Sequence, residues 1–410
     1  MAKHSSERTT AIEAAFAAIL ALGLYLPFLA IQYDVNGIAE AAALEARQLV
    51  NKNHMLYRPI GLLLYHAVQR IGYTGNSLLV LQTMNAICGA AGVGLAYAVF
   101  KSATRDKAAA AMGSFLLGTS FVYWLFSTDA AYITLAAAFA LAAMASLAYT
   151  QSWVSVVAAG VWTSLSILTW QADIFLVPTL LSLLIARGRR PLFRHAAIFA
   201  MTLGLTAGAS YMLAAVASHG WLGLRGFWTW FSSYSEGGTP LPQWGVWGPE
   251  RIENASVSAL RSIVPVLLAE PPSEITRSVQ LGRVAVDVSL IALALLVVLA
   301  SIKTRLNSLR FLLGYALFIP FIVWWDPFEP KWFLIPNIFL AGFLTCGLQP
   351  WLHRKYAGSV VILCTLAIAG TNFVTTIRPR HNKLGPDRIV AQCVAEHTQP
   401  QDTFIAAEWG

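Results

Sequence analysis

The carboxylates best placed for chemistry in this chain occupy matching positions. Asp34 follows an apolar run over 10–32, Asp129 follows one over 107–126, Asp173 follows 153–170, and Asp326 and Glu329 follow 310–325. Carboxylates take up protons and orient hydroxyls, and an ionisable group at membrane depth is costly enough to mark function. At a membrane boundary the cost is small, so each acid alone also reads as a solvated helix end. Asp34 and Asp129 read as more than that together, because both flank apolar runs on one side and can converge. Cations stand close to the same places in sequence. Asn53-His54-Met55-Leu56-Tyr57-Arg58-Pro59 precedes the second long run, and Glu329-Pro330-Lys331-Trp332 follows the ninth. Arg58 also reads as an interfacial side chain with its charge drawn to water. His54 reads as a solvated loop histidine, and Lys331 as the ion-pair partner of Glu329 or Asp326.

The elements that must hold these groups are transmembrane. Apolar runs cover 10–32, 76–100, 107–126, 130–150, 153–170, 174–186, 195–218, 284–302, 310–325, 332–349 and 357–377. A hydrocarbon core about 30 Å thick needs roughly 20 apolar residues of helix. The sequence predicts an all-α polytopic bundle of about eleven spans. Its 410 residues are 57% hydrophobic and only 12% charged, against about 25% charged in an ordinary globular domain. That leaves little room for large soluble domains. A net charge of +8 does not indicate nucleic acid, because the cations gather in short loops, as membrane topology requires. With Lys3 and Arg8 inside, the inner loops carry Lys101, Arg105 and Lys107; Arg187, Arg189, Arg190 and Arg194; Lys303, Arg305 and Arg310; and Arg354 with Lys355. Asp106 is the only acid placed in an inner loop. Arg378, Arg380 and Lys383 fall on the outer, acid-bearing side and break the pattern.

Two stretches outside the runs matter. In 33–75, helical patterns over 38–50 and 57–72 carry an apolar stripe on segments too short to span, which predicts interfacial helices. The stretch 219–283 holds Trp221, Phe227, Trp228, Trp230, Phe231, Tyr234, Trp244 and Trp247, with Glu236, Glu250 and Glu253. It reads either as an aromatic belt at the interface or as a substrate-facing surface, and part of 256–269 reads as a further interfacial helix. The first apolar run is too long for a cleavable signal peptide. Cys88, Cys346, Cys364 and Cys393 show no metal or disulfide spacing. Asp287 lies within the eighth run and can pair with Arg283. The chain divides into a membrane domain, 1–378, and an outer-side tail, 379–410, that reads as an amphipathic helix followed by the start of a strand.

The arrangement resembles the GT-C glycosyltransferases, in the branch of the protein O-mannosyltransferases and lipid A aminoarabinose transferases. The resemblance lies in an acid directly after the first span (Asp34), a Pro-containing interfacial segment before the second (53–59) and an acid in a Thr-Asp context after the third (Asp129). It extends to Glu329-Pro330-Lys331-Trp332-Phe333-Leu334-Ile335-Pro336 at the start of a late helix. It covers roughly 1–378. Val35 stands where the mannosyltransferases carry a second acid, and Arg58-Pro59 where they carry Pro-Pro.

The resemblance implies a GT-C-like fold and an inverting hexosyl or pentosyl transfer from a polyprenyl-phosphate sugar in the bilayer to a lipid, glycan or protein acceptor at the outer face. It makes Asp34 the base. Asp129 would orient the acceptor, steady the sugar cation, or share a divalent metal ion with Asp34. His54, Arg58, Lys331, Glu329 and Asp173 are the substrate-binding candidates, the cations among them meeting the departing phosphate. The overall character suits a bacterial inner (plasma) membrane with the acid face periplasmic. The second reading is a transporter or flippase of a lipid-linked sugar. Such proteins commonly show internal repeats and midplane charges, whereas the acids in this chain stand at one face.

Overall fold

The computed structural model describes residues 2–149, 152–185, 192–232, 245–265 and 306–383. Among them every regular element is helical. The long apolar runs form α1 (Ala2–Tyr25), α4 (Ser77–Thr104), α7 (Ile133–Tyr149), α8 (Trp153–Thr169), α9 (Leu176–Ile185), α10 (Leu192–Leu203) and α11 (Ala209–His219). Between α4 and α7 the third run is split into α5 (Lys107–Thr119) and α6 (Phe121–Ser127). Two interfacial helices, α2 (Val35–Glu45) and α3 (Tyr57–Arg70), fill the first loop, and α12 (Gly223–Ser232) and α13 (Pro249–Ile263) lie in the long central stretch. Then come α14 (Leu306–Trp325), α15 (Leu334–Leu352) and α16 (Lys355–Asn372). A π-helical turn leads from α16 into the short α17 (Arg378–Asn382). The eighth run (284–302), Arg283 with Asp287, Glu236, and the tail beyond 383 lie outside the described residues.

Six helices among the described residues are long and apolar enough to cross a membrane, or seven if the bent α5–α6 pair is one crossing. The helices over 133–148, 153–169 and 171–182 are apolar but shorter. The chain is therefore an integral membrane protein. Those three helices correspond to the fourth, fifth and sixth apolar runs, and the eighth run lies outside the described residues.

Small residues set the packing. The ring of α7 neighbours includes α4 and α8, and α1 lies along α4. At Gly94 of α4 a side-chain carbon would come within 2.6 Å of the Ala14 carbonyl of α1. Only glycine permits that approach, the usual device where apolar burial alone does not drive helices together.

The feature that builds the site is the bend of 66° between α5 and α6. Ser120 takes an extended conformation there, so the helix stops. The carbonyl of Thr119 that the break frees accepts 2.8 Å from the Asn372 amide of α16. The turned α6 carries Ser127-Thr128-Asp129 into the bundle instead of out to its surface. Non-helical backbone at this depth must be satisfied by protein. The Thr128 carbonyl accepts from the Ala30 N–H and from Gln82, those of Asp129 and Ala131 from Asn85, and that of Ala130 from the Tyr57 hydroxyl. Gln82 and Asn85 are buried polar residues of the otherwise apolar α4.

Successive spans put their charges at opposite ends. At one end Glu13 of α1 is held by Lys101 and Lys107, and Asp106 pairs with His353. Glu13 is thus a second acid at this end, hidden from the loop count because it lies within the first helix. At the other end stand Asp34, Asp129, Asp173, Asp326 and Glu329.

Candidate functional site

Asp34 precedes α2 and caps it. Its Oδ1 accepts from the Asn36 N–H at 2.9 Å and from the Asn36 side-chain amide at 2.7 Å, as an N-cap aspartate does. No described residue donates to its Oδ2. Its own N–H donates to Asp129 Oδ2 at 2.8 Å. The structure therefore brings Asp34 and Asp129 together, through the backbone of one and the carboxylate of the other.

Asp129 is 0% exposed. Its Oδ2 also takes the Arg380 guanidinium at 2.7 Å, and its Oδ1 takes the Ala130 N–H. Burial pushes this carboxyl up to about 6, more than Arg380 and the backbone N–H groups pull it down, and the Asp34 charge pushes the same way as burial. Space beside it is tight: a side-chain carbon on Gly37 of α2 would lie 2.8 Å from Asp129 Oδ1. A divalent ion needs six or more oxygens for calcium, or octahedral geometry for magnesium. Both oxygens of Asp129 are already engaged, and no cluster of three His, Cys, Asp or Glu exists among the described residues. The pair does not fit a metal, and no step is derived through one.

Next to this pair opens a cavity of about 240 Å³. It is bounded by the start of α2 (Asn36), the loop before α3 (Asn53, His54), the turn after α8 (Trp170, Gln171), and the turn from α14 into α15 (Trp325, Asp326, Lys331, Trp332). The walls are aromatic. Trp170 stacks on Trp332 with centroids 5.3 Å apart, and His54 stacks on Tyr132. Asn36 lines the cavity and also holds Asp34, so the Asp34 carboxylate stands one side chain behind its wall.

The expected binding residues separate into two groups. Lys331 lines the cavity, with its ammonium 3.7 Å from Glu329. Glu329 is largely exposed and outside the lining. His54 lines the cavity as a neutral ring: burial drops it to about 3, and the charges of Arg58 and Lys331 push in the same direction. Its Nδ1 faces the Thr169 carbonyl at 3.3 Å. A carbonyl only accepts, so Nδ1 carries the hydrogen and Nε2 is left as an acceptor. His54 therefore brings no positive charge for a phosphate. Arg58 does not reach the cavity. Its Nε donates to Glu40 at 2.7 Å and its Nη1 to the Gln48 carbonyl, tying α3 to α2. Burial pushes the Glu40 carboxyl up, and Arg58 opposes it. Asp173 is fully buried, and its Oδ2 meets Ser166 of α8, which also donates to the Ala136 carbonyl of α7. It fastens the turn before α9 and does not line the cavity.

Sequence reading missed Arg380, Asn36, Gln171, Gln82 and Asn85. For Arg380 a signal existed, since it was a cation on the side that should lack them. Of the aromatic stretch, Phe231 and Ser232 reach the cavity and Lys52 donates to the Trp230 carbonyl, whereas Trp221, Trp228 and Trp247 are exposed.

No protein-family signature and no curated protein matches the sequence. Solved structures do. The crystal structure of ArnT from Cupriavidus metallidurans bound to undecaprenyl phosphate aligns over 94% of this chain and 81% of that one, with a TM-score of 0.62 at 10% identity. The fold is that of ArnT. The expected all-α membrane bundle is the architecture found, in an ArnT-like arrangement. The apo-state structure of the same ArnT covers 94% of this chain and 91% of its own at 14% identity, with a TM-score of 0.40. At such identities the likeness fixes the ArnT-like arrangement of helices, and the chemistry rests on the residues described above.

Proposed function

We propose that this protein is a glycosyltransferase that moves a sugar from a polyprenyl-phosphate donor to an acceptor hydroxyl or amine at the acid-bearing end of the bundle. One observation carries the reading: in an ArnT-like bundle, Asp34 and Asp129 meet beside an aromatic cavity that holds one cation among its described lining residues, Lys331. The ArnT relative bound to undecaprenyl phosphate supports a donor of that lipid class.

In this scheme the sugar occupies the cavity, its apolar C–H face against Trp170 and Trp332 and its hydroxyls toward Asn53, His54 and Gln171. Asp34 Oδ2, which has no donor from the described protein, takes the acceptor's proton. The acceptor oxygen or nitrogen forms its bond to the anomeric carbon as the bond from that carbon to the phosphate oxygen breaks, with inversion. The electron pair leaves on the phosphate, whose charge Lys331 meets. Asp129 is too enclosed to touch a substrate and acts on Asp34. Asp129 therefore belongs behind the reacting groups, and His54 serves as an acceptor for a hydroxyl. The acid-bearing face is the periplasmic face of an inner membrane in this reading.

The test uses the full chain in liposomes with a radiolabelled polyprenyl-phosphate sugar and an outer-envelope extract. Transfer by the wild type that is lost in Asp34→Asn, with the melting temperature retained, supports the reading. Undiminished transfer in Asp34→Asn removes Asp34 as the base. Lipid movement between leaflets without transfer replaces the enzyme by a flippase.

A further inference from the structure

After α1 and a single 3-10 turn (Leu26–Phe28), the six residues 29–34 have no regular structure of their own before α2, yet they carry Asp34. What holds them is largely the other end of the chain. The Leu29 carbonyl faces His381 Nδ1 at 2.8 Å, and the Ile31 and Gln32 N–H groups donate to the Arg380 carbonyl at 2.9 and 3.0 Å. Phe28 packs edge-on against Phe373 and His381. The remaining ties run to the α6 end and to α4: the Ala30 N–H donates to the Thr128 carbonyl, the Asp34 N–H donates to Asp129, and the Gln82 amide of α4 donates to the Ala30 carbonyl at 2.8 Å. Arg380 joins the two sets. Its carbonyl holds the middle of the segment, and its guanidinium holds the carboxylate that holds the end.

We propose that Arg380 is a positioning residue: by gripping Ile31 and Gln32 through its carbonyl and Asp129 through its guanidinium, it fixes where Asp34 presents its free carboxylate oxygen. This deepens the reading of Asp34 as the base and rests on it for its catalytic meaning. It also accounts for one of the three cations that break the charge pattern of the sequence. Arg380 stands on the acid side because a buried carboxylate there needs a counter-ion. An isolated charge in such a place would be strongly unfavourable.

The charged and titratable groups facing Asp129 are Asp34 on the segment after α1, Tyr57 of α3 and Arg380 of α17. Arg380 is the one cation among them, so its loss shifts the protonation of Asp129 in a known direction. Asp129 then holds its proton to higher pH and no longer presents a carboxylate to the Asp34 N–H.

The experiment compares wild type, Arg380→Gln, Arg380→Lys and Asp129→Asn as full chains in lipid nanodiscs. Infrared difference spectra of the Asp129 carboxyl C=O stretch across pH, assigned by the loss of that band in Asp129→Asn, read its protonation. In the wild type the midpoint falls near 6. In Arg380→Gln it moves up by about one unit or more, and in Arg380→Lys it stays near the wild-type value. Amide exchange of the peptide over 29–34 speeds by about tenfold in Arg380→Gln and is largely restored by Lys. Asp129→Asn removes the other half of the pair and speeds the same peptide, which keeps the test alive if the Gln variant does not fold. In the transfer assay the Gln variant lowers kcat, with KM for the lipid-linked sugar unchanged.

An unshifted infrared midpoint and unchanged exchange in Arg380→Gln would overturn the proposal. So would faster exchange that Lys fails to restore. If the wild type transfers no sugar while the infrared midpoint and the exchange shift as stated, the clasp stands and the glycosyltransferase reading falls.

Discussion

The two ends of the bundle carry acids in opposite states. Asp106, at the end rich in lysine and arginine, caps α5 and meets His353. Burial pushes its carboxyl up, but His353 and the Ala109 and Ala108 N–H groups outweigh burial and hold it below the usual range. Asp129, at the other end, also has a cation and backbone donors, yet burial wins and its carboxyl sits near 6. The difference is depth. Asp106 stands at a helix start near water, whereas the α5–α6 bend carries Asp129 inside. An acid answered fully by its neighbours has its charge settled and serves structure. One held near 6, beside a second acid whose Oδ2 takes no donor from the described residues, is where the proposed reading puts chemistry.

That contrast can be broken or sharpened by experiment. The largest effect is expected from Asp34→Asn, which keeps the cap on α2 but removes the base. Transfer should fall by about 10²–10⁴-fold with little change in melting temperature, and a smaller loss would put the base elsewhere in the cavity. Asn85→Leu should come next, because it strips the Asp129 and Ala131 carbonyls of a buried donor. About 2–4 kcal/mol of stability should be lost, read as a drop in detergent melting temperature together with loss of transfer.

Changing pH tests Asp129 alone. Its folded value of about 6 lies above the ordinary 3.8, so the folded state holds this proton more tightly than the unfolded chain. Its contribution to stability is full below the ordinary value and is lost as pH rises through the folded one. Activity runs the other way, since the ionised carboxylate pairs with Arg380 and receives the Asp34 N–H. Transfer should fall about tenfold per unit below that pH, and Asp129→Asn should flatten this limb at a low rate. Gly37→Ala should press on Asp129 Oδ1 and lower transfer by up to about 10²-fold, the cost of a displacement of about 1 Å in a catalytic constellation. At the basic end, His353→Ala should cost less than about 1 kcal/mol, since the histidine is largely exposed, and should leave transfer unchanged. If it lowers transfer as Asn85→Leu does, the two ends are not separate in function.

Much of the fold was legible because the signals are local. Apolar runs and basic loops gave the membrane bundle, amphipathic stripes over 57–72 and 38–50 gave α3 and most of α2, and the helix expected within 256–269 lies earlier, as α13. The span count was less legible, because hydropathy registers an apolar run without the length of its helix: three of the runs form helices shorter than a full crossing, and the eighth lies outside the described residues. The site was readable in part. Asp34 and Asp129 could be named from their places after apolar runs, and Lys331 lines the cavity. Arg58 looked available for a ligand because nothing local shows that Glu40, 18 residues away, holds it. Gln82 and Asn85 were hidden because a polar side chain inside an apolar run has no visible partner until the helices are packed.

The sequence by itself determined that this protein lives in a bilayer, that its charges divide between two faces, and that carboxylates concentrate on one of them. These follow from transfer free energies that add residue by residue. Only the tertiary structure decided that Asp129 turns inward, that Arg380 answers it from 251 residues away, and that two tryptophan-bearing turns close on one cavity. Those outcomes depend on which helices lie side by side and on how each buried polar group is satisfied, and a single strand of sequence does not record that accounting.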